Sequence, residues 1–101
     1  MANQFGVRIR QLREQQNLLL RQVAPLLKMD TPMLSKIERG ERPVKREQIT
    51  ILSEVLKADK NELLILWLAD QIYDVVKDEK LANEAIQIAV KNFKEKNKTK
   101  K

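Results

Sequence analysis

Between Asp30 and Gly40 the chain spells out both ends of a short helix, and this segment constrains the fold more than any other. Either Asp30 or Thr31 can accept from the unpaired first-turn amides, and Pro32 then occupies the first turn, where its missing N–H loses no bond. Gly40 stops the helix, because glycine adopts the left-handed conformation common just past a C-terminus. With Asp30 as the cap, Met29 and Leu34 stand at the positions of a hydrophobic staple. Leu34 and Ile37 then face inward, and Thr31, Pro32, Met33, Ser35, Lys36 and Arg39 lie outside or at the edge. A helix is expected over residues 31–39 with its polar side uncovered.

The flanking segments keep the three-four apolar spacing of amphipathic helices. Phe5, Ile9 and Leu12 line a first helix that ends near Asn17, and Leu20, Val23, Ala24 and Leu27 line a second within residues 18–28. An interior proline costs about 3 kcal/mol unless it falls in the first turn, so Pro25 makes the second helix start late or kink. Ile49, Leu52, Val55 and Leu56 mark a fourth helix. Asp59 with Glu62 forms a capping-box-like start to a fifth, whose sequence ELLILWLADQIYDVV is apolar around most of its circumference and demands burial on more than one side. A sixth is expected over residues 81–94, with Ala82, Ala85, Ile86, Ala89, Val90 and Phe93 in one stripe, and residues 95–101 are too polar to pack and are expected to be a disordered basic tail. Strand-type alternation is nowhere sustained, so the fold class is all-α.

Cysteine and histidine are both absent, which removes disulfides, thiol nucleophiles, imidazole bases and the usual zinc ligands together. No cofactor or metal is implied, and the Asp and Glu pairs sit in no context that implies a buried, pKa-shifted catalytic site. The reading is therefore not an enzyme. The longest apolar run, residues 63–69, is far shorter than a membrane span, and the N-terminus has no signal-peptide stretch, so a cytoplasmic protein is expected. Charge is segregated: residues 1–46 carry ten Lys/Arg against four Asp/Glu, residues 47–90 four against nine, and residues 91–101 six against one. That separation fits one face built for a polyanion and a middle section with another task.

Two short helices joined by a turn at residues 28–30, the second one capped and polar outside, have the geometry of a helix-turn-helix. The strings LSKIERGER (residues 34–42) and IRQLRE (residues 9–14) resemble the Cro and phage-repressor type of helix-turn-helix regulator, over roughly residues 5–68. The resemblance implies a five-helix repressor-like domain over residues 1–69 with double-stranded DNA as the partner, and residues 70–94 beyond it are expected to form an additional helical extension that serves dimerisation. It places Thr31, Pro32, Met33 and Lys36 at base edges, with Ser35 and Arg39 nearer the backbone. Lysine can donate to guanine O6 and N7, and Pro32 and Met33 offer apolar contact to thymine methyls. Where the family carries a phosphate-binding glutamine this chain has Leu20; Arg21 is the candidate replacement, and Arg42, Lys45 and Arg46 are further phosphate candidates. The resemblance also sets Arg13 against Glu38 as a structural ion pair.

Regulators of this kind commonly bind as symmetric dimers with recognition helices one DNA turn apart, about 34 Å. A homodimer is expected, with Ile65, Leu68, Ile72 and Val76 of helix five as its candidate interface. A repressor, a controller of a restriction-modification system, and an antitoxin all fit this size and domain. The alternative from another class is a helical protein-interaction module whose basic residues only keep it soluble. Single-stranded RNA binding is disfavoured by the shortage of aromatic residues for stacking.

Overall fold

The computed structural model describes residues 3–99, and every regular element among them is helical. Helix α1 spans Gln4–Gln15, α2 Leu20–Val23, α3 Thr31–Glu38, α4 Arg46–Val55, α5 Lys60–Val76 and α6 Ala82–Thr99. The second helix resolves the conflict at Pro25 by changing hand-tightness: a single α turn gives way to a 3₁₀ turn over Ala24–Leu27, with Pro25 inside its first turn, where the missing amide is not needed.

Four helices or turns end in the same way. Asn17, Lys28, Gly40 and Lys57 each adopt positive φ, at 56°, 55°, 78° and 53°. After each, two amides fold back onto the last turn; after α3, Glu41 N–H donates to the Lys36 carbonyl at 2.8 Å and Gly40 N–H to the Ile37 carbonyl at 3.0 Å. This is the Schellman arrangement, which satisfies carbonyls that the helix itself leaves open. Left-handed backbone costs a residue with a Cβ about 1–2 kcal/mol, partly offset for glycine by its larger loss of chain entropy. Lys57→Gly, at an exposed position, is therefore expected to stabilise the fold by about 0.5–1 kcal/mol and raise Tm by a few degrees. A calorimetric Tm at or below that of the parent would contradict this.

The core is made by Phe5, Ile9 and Leu12 of α1, Val23, Ala24 and Leu27 of the α2 turn, Leu34 and Ile37 of α3, Val44, Ile49 and Leu52 of the loop and α4, then Leu56 and Leu63. It closes at residue 63. The first part of α5 plugs this core and the rest runs past it, while α6 supplies no core residue. The radius of gyration is accordingly 16.0 Å, against roughly 13 Å for a compact chain of this length.

One extent, that of α6, differs from the expectation. Helix α5 is continuous through residues 69 and 70, because nothing in that stretch breaks a helix. Asp70, moreover, belongs to the first unit: its carboxylate accepts from Gln4 N–H at 3.1 Å and Phe5 N–H at 3.0 Å, capping α1 from the other end of the chain. Residues 95–99 continue α6 instead of leaving it as a coil, and Lys and Glu are among the better helix formers. Residues 100 and 101 of the expected tail lie outside the described residues. Val76 is half-buried, and the exposed neighbour in the α5 stripe is Val75.

Candidate nucleic-acid interface

Helix α3 begins where the capping chemistry put it. Asp30 Oδ1 accepts from Met33 N–H at 2.8 Å, which makes Thr31 and Pro32 the first two helical residues. Leu34 and Ile37 are buried, and Met29 packs partly against the core beside them. The opposite side carries Pro32, Met33, Lys36 and Arg39 in the open, with Thr31 and Ser35 at the margin. Met33 is the one large apolar side chain left exposed on α3 among the described residues. The helix thus buries one stripe and offers a short polar face with two cations on it.

Its orientation is fixed from behind. Arg13 of α1 and Glu38 of α3 form a bidentate pair, Nε to Oε2 at 2.7 Å and Nη2 to Oε1 at 2.9 Å, and both side chains are buried. Arg13 Nη1 donates to the Leu18 carbonyl at 2.9 Å, so the same guanidinium also holds the bend before α2. The hydrogen bond to Glu38 raises the Arg13 pKa above its usual value against the opposing effect of burial. Glu38 is turned away from the polar face, which spares that face a further carboxylate beside Glu41 among Lys36, Arg39 and Arg42.

The end of α3 is held a second time. Asn3 Nδ2 donates to the Glu38 carbonyl at 2.9 Å, so Asn3 braces α3 while Asp70 caps the helix that Asn3 precedes. Gly6 lies against this joint, and a Cβ there would stand 2.6 Å from the Glu38 carbonyl oxygen. A Cβ on Gly40 would meet Asn3 Cγ at 2.7 Å. Both glycines of the chain therefore serve the same junction. Sequence reading missed Asn3, Gly6 and Asp70; an isolated glycine inside a helical pattern was the one available signal.

The basic candidates divide by what they touch. Arg21 on α2, Arg42 and Lys45 in the loop before α4, and Lys36 on α3 are exposed. Arg39 is also exposed, yet its Nε donates to Glu41 Oε2 at 2.7 Å and its Nη1 to Ser35 Oγ at 2.7 Å, so its fork is already oriented. This hydrogen bond lifts the Arg39 pKa and lowers that of Glu41. Arg46 sits over the Trp67 ring, 5.2 Å from its centroid, and Trp67 Nε1 donates to the Val44 carbonyl at 3.2 Å, which pins the basic loop to α5. Leu20, in the place of the family's glutamine, is half-buried against the core and has no polar atom to offer a phosphate. The candidate dimer residues Ile65, Leu68 and Ile72 are exposed together along α5.

Among the described residues no group of three His, Cys, Asp or Glu side chains is placed to hold a metal, and no helix is long and apolar enough to cross a membrane. Comparison with curated proteins returns no match. The solved structure of the clp gene regulator ClgR from Corynebacterium glutamicum shares the fold, with a TM-score of 0.58 and 21% identity over 78% of this chain and 85% of that one. A family profile described as a helix-turn-helix domain matches residues 4–64, from α1 into the first part of α5. The matched span takes in the whole core and the whole candidate interface, and the chain belongs to the helix-turn-helix domain family.

Proposed function

We propose that this protein is a sequence-specific, double-stranded-DNA-binding transcription regulator that acts as a homodimer on a palindromic operator, most simply as a repressor. The observation that carries the reading is the exposed polar side of α3, capped at Asp30 and clamped by Arg13–Glu38, in a chain of the helix-turn-helix family. In the proposed complex Lys36 reads guanine O6 and N7, and Pro32 and Met33 contact thymine methyls, with Thr31 at the groove edge. Arg21, Ser35, Arg39, Arg42 and Lys45 hold phosphates, which sets register without reading sequence.

The test is binding to duplexes selected from a randomised pool, measured at several salt concentrations. Displaced counterions should give a log-log slope of about −0.9 per phosphate contact. Arg42→Ala should weaken binding to all duplexes and flatten that slope by about one unit, whereas Lys36→Ala should cost about 1–3 kcal/mol on the selected site and relax one base position. A parent protein whose binding is insensitive to salt, or that selects no sequence, would overturn the proposal.

A further inference from the structure

One indole on α5 makes two separate contacts with the segment that leads into α4. Trp67 Nε1 donates to the Val44 carbonyl at 3.2 Å, and the Arg46 guanidinium lies over the ring of the same residue. The first contact has no substitute nearby. Among the described residues the main chain of residues 42–44 makes no other hydrogen bond: the fold-back after α3 ends at Glu41 N–H, Pro43 has no donor, and the next held amide is Lys45 N–H, which donates to Gln48 Oε1 at 2.8 Å. Val44 anchors this loop by its side chain, in the core, and Trp67 anchors it by its main chain. The second contact differs in kind from the ion pairs on the same face. Arg39 spends its fork on Glu41 and Ser35, so a carboxylate already answers its charge. Arg46 forms no ion pair and no side-chain hydrogen bond among the described residues. A ring face attracts a cation through its quadrupole and occupies none of its N–H donors, so Arg46 is held in place with its charge and its donors still available.

We propose that Trp67 is a positioning residue for DNA binding: it fixes the loop over residues 42–45 and seats Arg46 as a phosphate contact. Affinity then depends on a side chain beyond residues 4–64, the span that the helix-turn-helix profile matches. The inference rests on the DNA-binding reading and deepens it. A free arginine loses much of its rotamer freedom when a phosphate immobilises it, whereas one already seated on a ring loses less for the same contact. The seat itself is firm. Leu63 and Trp67 stand one helical turn apart on α5, and Leu63 is fully buried, so the loop is referenced to the core through the first part of this helix. Phosphate contacts set register on the duplex without reading sequence, so Trp67 acts alike on every duplex and leaves base preference to α3.

The test is the salt dependence of binding by the full chain, on its selected duplex and on an unrelated one, for the parent, Arg46→Ala, Trp67→Leu and the double variant, each at a temperature where its helical spectrum is intact. Arg46→Ala should weaken both duplexes by roughly three- to tenfold and flatten the log-log slope by about one unit. Trp67→Leu removes no charge, so a change of slope there reports a displaced contact and not a lost cation. It should flatten the slope by at least as much as Arg46→Ala, with a similar loss of affinity on both duplexes. In the double variant the slope should fall by less than the sum of the two single changes, because the residues share a contact. Trp67→Phe keeps a ring beneath Arg46 and the packing against the core while giving up the donor to Val44; it should stay folded and flatten the slope part of the way. Parent slopes in both Trp67 variants would make Trp67 a packing residue only and overturn the inference, as would a parent slope in Arg46→Ala. A parent whose binding ignores salt would overturn the DNA-binding reading together with it, whereas a salt-sensitive parent with unaltered variants overturns this inference alone.

Discussion

Glu38→Ala is expected to destabilise the protein by about 3–5 kcal/mol and lower Tm by more than roughly 10 °C. The loss is not the strength of an ion pair, which is offset in large part by the desolvation of both partners; it is the cost of what remains. Arg13 would keep its bond to the Leu18 carbonyl but leave two guanidinium N–H groups buried without acceptors. The raised pKa of Arg13 shows the direction of the coupling: the cation is held by Glu38, and it cannot discharge to escape at any ordinary pH. Glu38→Gln should recover part of the stability, because one amide oxygen still accepts from the fork. Removing both charges, as in Arg13→Met/Glu38→Leu, should cost less than removing one, which a double-mutant cycle will show as strong coupling. DNA affinity should fall with Glu38→Ala although Glu38 touches no DNA, since α3 loses its brace to α1. A Glu38→Ala protein that melts with the parent would refute the argument.

What the sequence disclosed depends on whether the physics was local. Asp30, Pro32 and Gly40 each act within one turn of their own position, so the limits of α3 were readable from residue types alone. Pro25 announced a break in the second helix and left its form open, and the form taken, a 3₁₀ turn, is the one that wastes no amide. Lys28 and Lys57 take left-handed backbone against their own preference, so composition pointed away from those helix ends; the fold-back bonds over them decide the matter. Asp70 capping α1 across 66 positions has no sequence signature, so nothing in the residue types tied α5 to the start of the chain. Arg13 and Glu38 were paired by resemblance, and periodicity by itself gave no reason to turn Glu38 inward. The exposed stripe of α5 was legible as excess apolar circumference, although which valine belonged to it was not.

Gly6→Ala sets two physical effects in opposition, and their sizes determine the expected sign. In an exposed helix interior the exchange favours alanine by roughly 0.5–1 kcal/mol, because glycine gives up more chain entropy on folding. At Gly6 the added Cβ would stand 2.6 Å from the Glu38 carbonyl oxygen, a backbone atom that cannot rotate aside, and would also press on the Asn3 side chain. Either α1 lifts from the end of α3 or the last turn of α3 shifts, and overpacking of this kind costs about 1–3 kcal/mol. Because the same residue supplies the carboxylate that Arg13 grips, any such shift also lengthens the bidentate pair. The steric cost exceeds the gain in propensity, and Gly6→Ala is expected to lower Tm by about 5–15 °C. Asn3→Ala distinguishes the two obstructions. It clears the side chain but leaves the carbonyl, so Asn3→Ala/Gly6→Ala should remain as unstable as Gly6→Ala or more so, having also lost the bond from Asn3 to Glu38. A Gly6→Ala protein melting above the parent would mean that α1 does not approach α3 this closely, and recovery in the double variant would assign the obstruction to Asn3 instead of to the backbone of α3.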